Sequence, residues 1–264
     1  MRRIVTDGPV YYQFEQWAGS AQAPVHGVFT RLGGVSVAPW ASLNVGSTVG
    51  DDPQAVARNK ALMAAALGLD ERHFCTVWQV HGREVIAVED LSCAGGILGK
   101  ADGLITDRPG AVLTMRFADC VPILLYDPVK QVIGLAHAGW RGTVAGVAQS
   151  IVEAMIQRYG CQPEDIQAGI GPSIGPEQYR VGEDVVNAVQ WAFGESDGLI
   201  RRREDGEAYL DLWAANRRAL NAVGVRQVEV AGLCTATQTH EFYSHRAEQG
   251  RTGRFGVVIA LPGA

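Results

Sequence analysis

The stretch 116–142 reads RFADCVPILLYDPVKQVIGLAHAGWRG, and it contains two apolar runs of strand length. The runs VPILLYD and QVIGLAH are separated by Asp127-Pro128, a dipeptide that favours a turn. The pattern therefore predicts two buried strands that return on each other. Cys120 lies at the start of the first strand and His137 at the end of the second, so the return would bring a thiol and an imidazole close together.

The segment that follows His137 has the spacing of a helix. Its apolar residues fall on one helical face, namely Val144, Val147, Ile151, Met155 and Tyr159. We predict a helix over residues 142–159 that ends at Gly160. Free amides and the helix dipole attract anions at a helix N-terminus, and Arg141 stands beside this one. Arg141 is therefore a candidate anion contact.

Composition places the chain among globular proteins and excludes some partners. The chain of 264 residues is long enough for one large α/β domain or two small ones. Its composition, with 47% hydrophobic and 19% charged residues, is typical of a globular protein. A net charge of −5 argues against nucleic-acid or membrane-surface binding, and no apolar stretch approaches the length of a membrane span. Without a repeat or a linker, we treat residues 1–264 as one domain.

The cysteine content predicts a reducing compartment. The five cysteines are Cys75, Cys93, Cys120, Cys161 and Cys234. Their number is odd and no CxxC pair is present, so neither a disulfide framework nor a four-cysteine zinc site is indicated. The N-terminus has no signal-peptide pattern, and we predict a cytoplasmic, unprocessed protein.

Helix and strand patterns continue along the rest of the chain. We predict helices over residues 53–68, 183–193 and 211–223, and strands that include 74–81, a return strand at 84–88 and a final apolar strand. Asp102-Gly103 is interpreted as a turn, and the charged run 194–207 as a solvated loop.

His81, Cys120 and His137 each stand at the end of a predicted strand. Three nitrogen or sulfur ligands with no evident fourth are typical of a catalytic zinc site. The same residues could instead form a cysteine nucleophile activated by His137, without a metal. Copper is a third possibility because two histidines and one cysteine also describe blue-copper centres, although six histidines without an HxH pair are too few for a multicopper assembly.

Further residues are candidate ligand contacts. Arg31 and Arg246 could bind phosphate or carboxylate, and Arg251 and Arg254 offer the same kind of contact. Ser173 lies in a glycine-rich loop that could hold an anion, and Tyr243 offers a face for stacking. A structural role is the competing interpretation of each. Asp119 neighbours Cys120 on an extended segment, so its side chain would face the opposite side unless the strand is interrupted.

Ordered motifs connect the chain to a known family. They are WQVHG at 78–82, KADG at 100–103, RFADCVPILLYD at 116–127, HAGWRG at 137–142, GPSIGP at 171–176 and YSHR at 243–246. Together they resemble the YfiH-type family, whose members have been described as laccase-domain or multicopper polyphenol oxidase proteins and as purine nucleoside phosphorylases. FTRLGGVS and SLNVGSTVGDD also match, so the resemblance covers nearly the whole chain.

The resemblance implies a single α/β domain of layered sheets and helices, related to cysteine-hydrolase-like folds, with a zinc site at His81, Cys120 and His137. It implies phosphorolysis of adenosine, inosine and methylthioadenosine, and deamination of adenosine. Other members are described as editing hydrolases that remove UDP-linked muramoyl serine precursors of peptidoglycan.

We therefore expect a zinc-dependent purine nucleoside phosphorylase, monomeric or homodimeric, with a small-molecule nucleoside and phosphate as partners. The expected phosphate or ribose contacts are Arg31, Arg141, Ser173 and Arg246, and Tyr243 is the expected contact of the base. An amide hydrolase and a non-enzymatic metal-binding regulatory domain are the alternatives.

Overall fold

A computed structural model describes residues 1–20, 22–91, 95–194 and 198–262. Cys93 and residues 195–197 of the charged run lie outside the described residues. Within the described ranges the strands form three sheets, and the predicted α/β class is confirmed. No helix of the described ranges has both the length and the apolar character needed to cross a membrane.

The largest sheet has seven strands in the described chain. In spatial order they are β1 (Arg2–Val5), β2 (Val10–Gln13), β3 (Val25–Phe29), β16 (Phe255–Ala260), β8 (Val112–Phe117), β4 (Phe74–Trp78) and β6 (Ile97–Lys100). The second sheet, described with six strands, has the order β15 (Gln227–Val230), β11 (Gln167–Ile170), β9 (Val121–Asp127), β10 (Val132–Ala138), β7 (Gly103–Thr106) and β5 (Val85–Ala87). A small sheet has the order β12 (Arg180–Val181), β14 (Ala208–Leu210) and β13 (Ile200–Arg202).

Helices cover the outer faces of the two large sheets. They are α1 (Pro53–Ala66), α2 (Trp140–Ala145), α3 (Val147–Tyr159), α4 (Glu183–Phe193) and α5 (Leu212–Ala222). The predicted helices corresponding to α1, α4 and α5 are confirmed. Asp52 caps α1 as its position before Pro53 indicates, because its side chain accepts a hydrogen bond from the amide of Gln54.

The predicted hairpin is confirmed and lies at the centre of the second sheet. Strands β9 and β10 pair antiparallel, and every residue of both is buried. Successive side chains of β9 face opposite sides, so Ile123 packs in the cluster that contains α3, and Leu124 packs against the large sheet with Phe117. The two sheets and α3 thus form consecutive layers.

The predicted helix over 142–159 is wrong in one respect, because it is two helices. Gly146 takes the left-handed conformation, with φ 88°, and ends α2 before α3 begins. Apolar residues continue the helical spacing across this break, so periodicity does not reveal it. Gly160 caps α3 as predicted.

Two strand predictions also need correction. The return strand at 84–88 does not pair with β4, because β5 joins the second sheet beside β7 in parallel. The charged run is not wholly a loop, since β13 pairs with β14 and the Arg203 guanidinium lies 3.9 Å from the centre of the Tyr209 ring.

Candidate metal centre and its cavity

Three potential metal ligands converge at one edge of the hairpin. The ligand atoms of His81, Cys120 and His137 all lie within 4.8 Å of one another. Cys120 directly precedes β9, and His137 lies opposite Pro122 in the β9–β10 pairing. His81 comes from the turn after β4, where its backbone has a φ of 61°, and its ring meets His137 edge-on with 4.9 Å between ring centres.

Asp102 supports this cluster through hydrogen bonds. Its buried Oδ1 lies 2.8 Å from His137 Nδ1, and its Oδ2 accepts hydrogen bonds from the amides of Val80 and Gly82 at 3.1 and 2.7 Å. A proton held on Nδ1 leaves His137 Nε2 directed at the cluster, as is usual for metal-binding histidines. The same carboxylate orders the turn that carries His81. Sequence analysis missed this role because the Asp-Gly dipeptide also signals a turn.

Electrostatics in the cluster favour a thiolate. Burial alone would raise the pKa of the Cys120 thiol, but the charge and hydrogen bond of His137, together with those of His81, outweigh it and lower the pKa. Burial alone would lower the pKa of His137, but Cys120 and Asp102 raise it. The thiolate form of Cys120 is both a nucleophile and a metal ligand.

Gly139 leaves room for the cluster. A Cβ atom at this position would lie 2.9 Å from Cys120 Sγ and 3.2 Å from His81 Cδ2. The first separation is too short for a real Cβ atom, so a side chain here would displace a ligand. Gly139 is also the residue that precedes α2, with ordinary backbone angles.

A cavity of about 460 Å³ opens onto the three ligands. The residues that line it include the three arginines Arg116, Arg246 and Arg254, together with Trp78, Tyr179, His245 and Gln79. Arg116 donates to the Val77 carbonyl and to Gln79, and Arg254 donates to the carbonyls of Thr252 and Gly253.

The cavity arginines donate to backbone carbonyls and, in the case of Arg116, also to the Gln79 side chain, rather than to acidic groups. Within the described ranges, Arg116, Arg246 and Arg254 form no ion pair with a carboxylate. Burial and the neighbouring charge of Arg254 lower the pKa of Arg116, and burial lowers that of Arg254. Two half-buried cations therefore line the same cavity as the thiol and the imidazoles.

Of the predicted anion contacts Arg246 and Arg141, only Arg246 is at the wall of this cavity. Arg246 lines the cavity, with its guanidinium carbon 5.1 Å from the centre of the Tyr179 ring and its Nη1 donating to the Arg180 carbonyl at 2.9 Å. Arg141 is exposed in the first turn of α2, stacks on Trp140 at 4.4 Å and is not among the lining residues.

The structure does not bring Arg31, Tyr243 or Ser173 to the cavity. Arg31 pairs with Glu248 at 2.9 Å, and its guanidinium carbon lies 4.5 Å from the centre of the Tyr243 ring. Tyr243 is fully buried and donates its hydroxyl hydrogen bond to the Trp40 carbonyl. Ser173 is fully buried too, and its Oγ accepts a hydrogen bond from the indole of Trp213. Ligand contact by any of them would require the loss of these partners.

Asp119 supports the cavity wall through hydrogen bonds. The strand is interrupted there, with a φ of 79°, and the side chain accepts from Thr235 Oγ1 and from the amide of Arg246, both at 2.6 Å. Asp119 thereby fixes the loop that presents Arg246. Arg254 was among the arginines that the sequence offered for an anion, whereas Arg116 was missed, although an arginine within the apolar run VLTMRF is an available signal.

Comparison with known proteins identifies the family to which the chain belongs. A family model described as "Multi-copper polyphenol oxidoreductase laccase" matches residues 25–262. The chain belongs to this family, and the resemblance found in the motifs is confirmed.

Individual relatives carry more specific names. The chain is 44% identical to "Purine nucleoside phosphorylase" of Deinococcus radiodurans over 90% of this chain and 89% of the relative. It is 35% identical to "Purine nucleoside phosphorylase YfiH" of Escherichia coli over 88% and 91% of the two chains. The crystal structure of YlmD from Geobacillus stearothermophilus superposes with a TM-score of 0.90 at 37% identity, covering 96% of each chain.

Proposed function

We propose that the chain is a zinc-dependent purine nucleoside phosphorylase acting on adenosine, inosine and S-methyl-5′-thioadenosine. One observation carries the proposal: a single cavity joins the His81, Cys120 and His137 cluster to arginines that form no ion pair with a carboxylate of the described residues. The names of the relatives support the same reaction class.

The cluster fits a metal ion with borderline or soft preferences. Two imidazole nitrogens and one thiolate are ligands that zinc accepts, and three protein ligands leave one position open. Asp102 orients one imidazole, and Gly139 keeps the space beside the sulfur free. Bound zinc would supply a Lewis acid at this point of the cavity. Copper also accepts this donor set and remains the alternative metal.

The arginines would hold the phosphate co-substrate. Phosphorolysis forms a bond between a phosphate oxygen and C1′ of the ribose, while the C1′–N9 bond breaks and its electron pair leaves with the purine. Arg116 and Arg254 reach the cavity with guanidinium groups fixed by backbone carbonyls, which lowers the entropy lost on binding an anion. Arg246 adds a third positive charge at the same wall.

Aromatic residues of the wall suit the nucleoside. Trp78 lines the cavity with 46% of its surface exposed, and Tyr179 lies across the wall under Arg246. Either ring offers a flat face for a purine. His245 also lines the cavity and can exchange a proton with the departing base. We therefore assign these residues to the purine base, in place of Tyr243, which the sequence predicted as the base contact.

Product analysis tests the proposal. Adenosine incubated with the protein should release adenine and ribose 1-phosphate only when phosphate is present. Arg254→Met should raise the KM for phosphate by at least about tenfold, because it removes a charge-assisted contact. Adenine release that is independent of phosphate, or unaffected by Arg254→Met, would contradict the assignment.

A second candidate reaction rests on the succession of contacts from Cys120 to His137 and from His137 to Asp102. A thiolate beside an imidazole that is held by a carboxylate is the arrangement of cysteine hydrolases. Such a site could cleave an amide, as the peptidoglycan-editing alternative requires. Turnover of a UDP-linked muramoyl serine substrate that survives chelation and stops on alkylation of Cys120 would favour it.

Adenosine deamination is proposed as a further activity of the same cavity, since the open metal position would suit water activation. Inosine should then form from adenosine in phosphate-free buffer. A single catalytic domain over residues 1–264, a cytoplasmic location and a monomeric or homodimeric state remain predictions. The shared core of the two large sheets supports the first of these.

A further inference from the structure

A second cavity, of about 400 Å³, lies between α1 and the face of the seven-stranded sheet that α1 covers. At one end its lining is apolar, with Val45, Met63 and Phe74 from the core under α1. At the other end the same sheet face continues with Thr76, Thr114 and Arg116. The packing of α1 therefore stops before the polar part of the sheet face is covered.

Positive charge stands on two sides of this cavity. Lys60 projects from α1 and is half-buried, and Arg116 comes from β8. Within the described ranges Lys60 forms no ion pair, although Glu71 lines the cavity and attracts it. Arg72 also lines it, but its guanidinium is paired with Asp70.

The lysine is held in an unfavourable position. Burial is the main cause that lowers the pKa of Lys60, the charge of Arg116 lowers it further, and Glu71 compensates only in part. An anionic ligand bound between Lys60 and Arg116 would offset the cost of keeping the Lys60 charge half-buried, since buried charges are normally paired. The apolar end beside it would accept a hydrocarbon or aromatic body.

We propose that this second cavity binds a small organic anion with a flat apolar body, such as an aromatic carboxylate. The anionic head lies between Lys60 and Arg116, and the body packs on Met63 and Phe74. The volume is within the usual range for small-molecule sites. The site adjoins the first cavity, with which it shares Ser47 and Arg116, but its occupation does not depend on nucleoside chemistry.

Calorimetry with a charged probe and its neutral analogue tests this site. We expect 2-naphthoate to bind the parent protein at least about tenfold more tightly than 2-naphthylmethanol, because only the carboxylate meets the two cations. In Lys60→Met the difference should shrink to about threefold or less. In Arg246→Met, which alters the first cavity alone, it should remain as in the parent.

A substitution that fills the second cavity provides a second, independent test. Ala57 is an exposed residue of α1 at the lining, so Ala57→Phe should block both probes while the melting temperature stays close to that of the parent. Lys60→Met should not lower the melting temperature, because it removes an unpaired half-buried charge. Equal affinities for the two probes in the parent, a charge preference that survives Lys60→Met, or unchanged binding to Ala57→Phe would overturn the proposal.

Discussion

Replacing His26 with glutamine should reduce the loss of stability that the protein suffers on acidification. His26 is 2% exposed, and its two ring nitrogens have different partners. Nδ1 lies 3.0 Å from the Pro24 carbonyl, whereas Nε2 accepts a hydrogen bond from the Phe14 amide at 2.9 Å. A second proton on the ring would point at an N–H donor. The folded protein therefore resists protonation of His26.

The size of the effect follows from the pKa. Burial lowers the pKa of His26 from 6.5 to about 4, while the Pro24 carbonyl and Glu229 oppose this in part. Because the folded pKa is the lower one, the unfolded chain binds the proton first, and stability falls as the pH drops from 6.5 towards 4. The full difference corresponds to about 3.4 kcal/mol, of which about 2 kcal/mol is lost at about pH 5.

Urea unfolding, followed by circular dichroism at about pH 8 and about pH 5, measures this difference. Other groups titrate over the same interval, so the relevant quantity is the pH-dependent loss in the parent minus that in His26→Gln, expected near 2 kcal/mol. His240→Gln, at an exposed position, is the matched control and should behave as the parent. Equal losses in the parent and His26→Gln would refute the reasoning.

Three further substitutions test the site. Gly139→Ala should lower zinc content by at least about tenfold without unfolding the chain, because its Cβ would crowd the Cys120 sulfur. Gly82→Ala is the control and should keep its zinc, because the nearest atoms to its Cβ would be 3.6 Å away. Equal zinc contents in the two variants would contradict this reasoning. Asp102→Asn should weaken zinc binding about 10- to 100-fold by chelator competition, because the ligand imidazole loses its carboxylate, and unchanged affinity would show that this support is dispensable. Arg31→Met should lower the melting temperature but leave the phosphate KM unchanged, in contrast to Arg254→Met, and a raised phosphate KM would restore Arg31 as a ligand contact.

The parts of the fold that could be predicted are those set by local pattern. The β9–β10 hairpin followed from two apolar runs around Asp127-Pro128, and α1 from the Asp-Pro pair at its start. The break at Gly146 could not be predicted, because glycine tolerates both a helical and a left-handed backbone. The partner of β5 could not be predicted either, since strand pairing is decided by tertiary packing.

The candidate site divides in the same way. The sequence predicted that His81, Cys120 and His137 form one site, because each lies near the end of a predicted strand and the hairpin brings two of them together. Asp102 meets His137 across a separation of 35 residues, which no local spacing encodes. Arg31 and Tyr243 were assigned to ligand binding by residue type, yet each is occupied by partners within the fold.

Metal content tests the central claim most directly. Elemental analysis of the purified protein should find about one zinc per chain in the parent and almost none in Cys120→Ser. Cys234→Ser serves as the control because Cys234 is also a free, half-buried cysteine but lies outside the ligand cluster, and it should retain the zinc of the parent. The same zinc content in Cys120→Ser as in the parent would contradict the assignment of the metal centre.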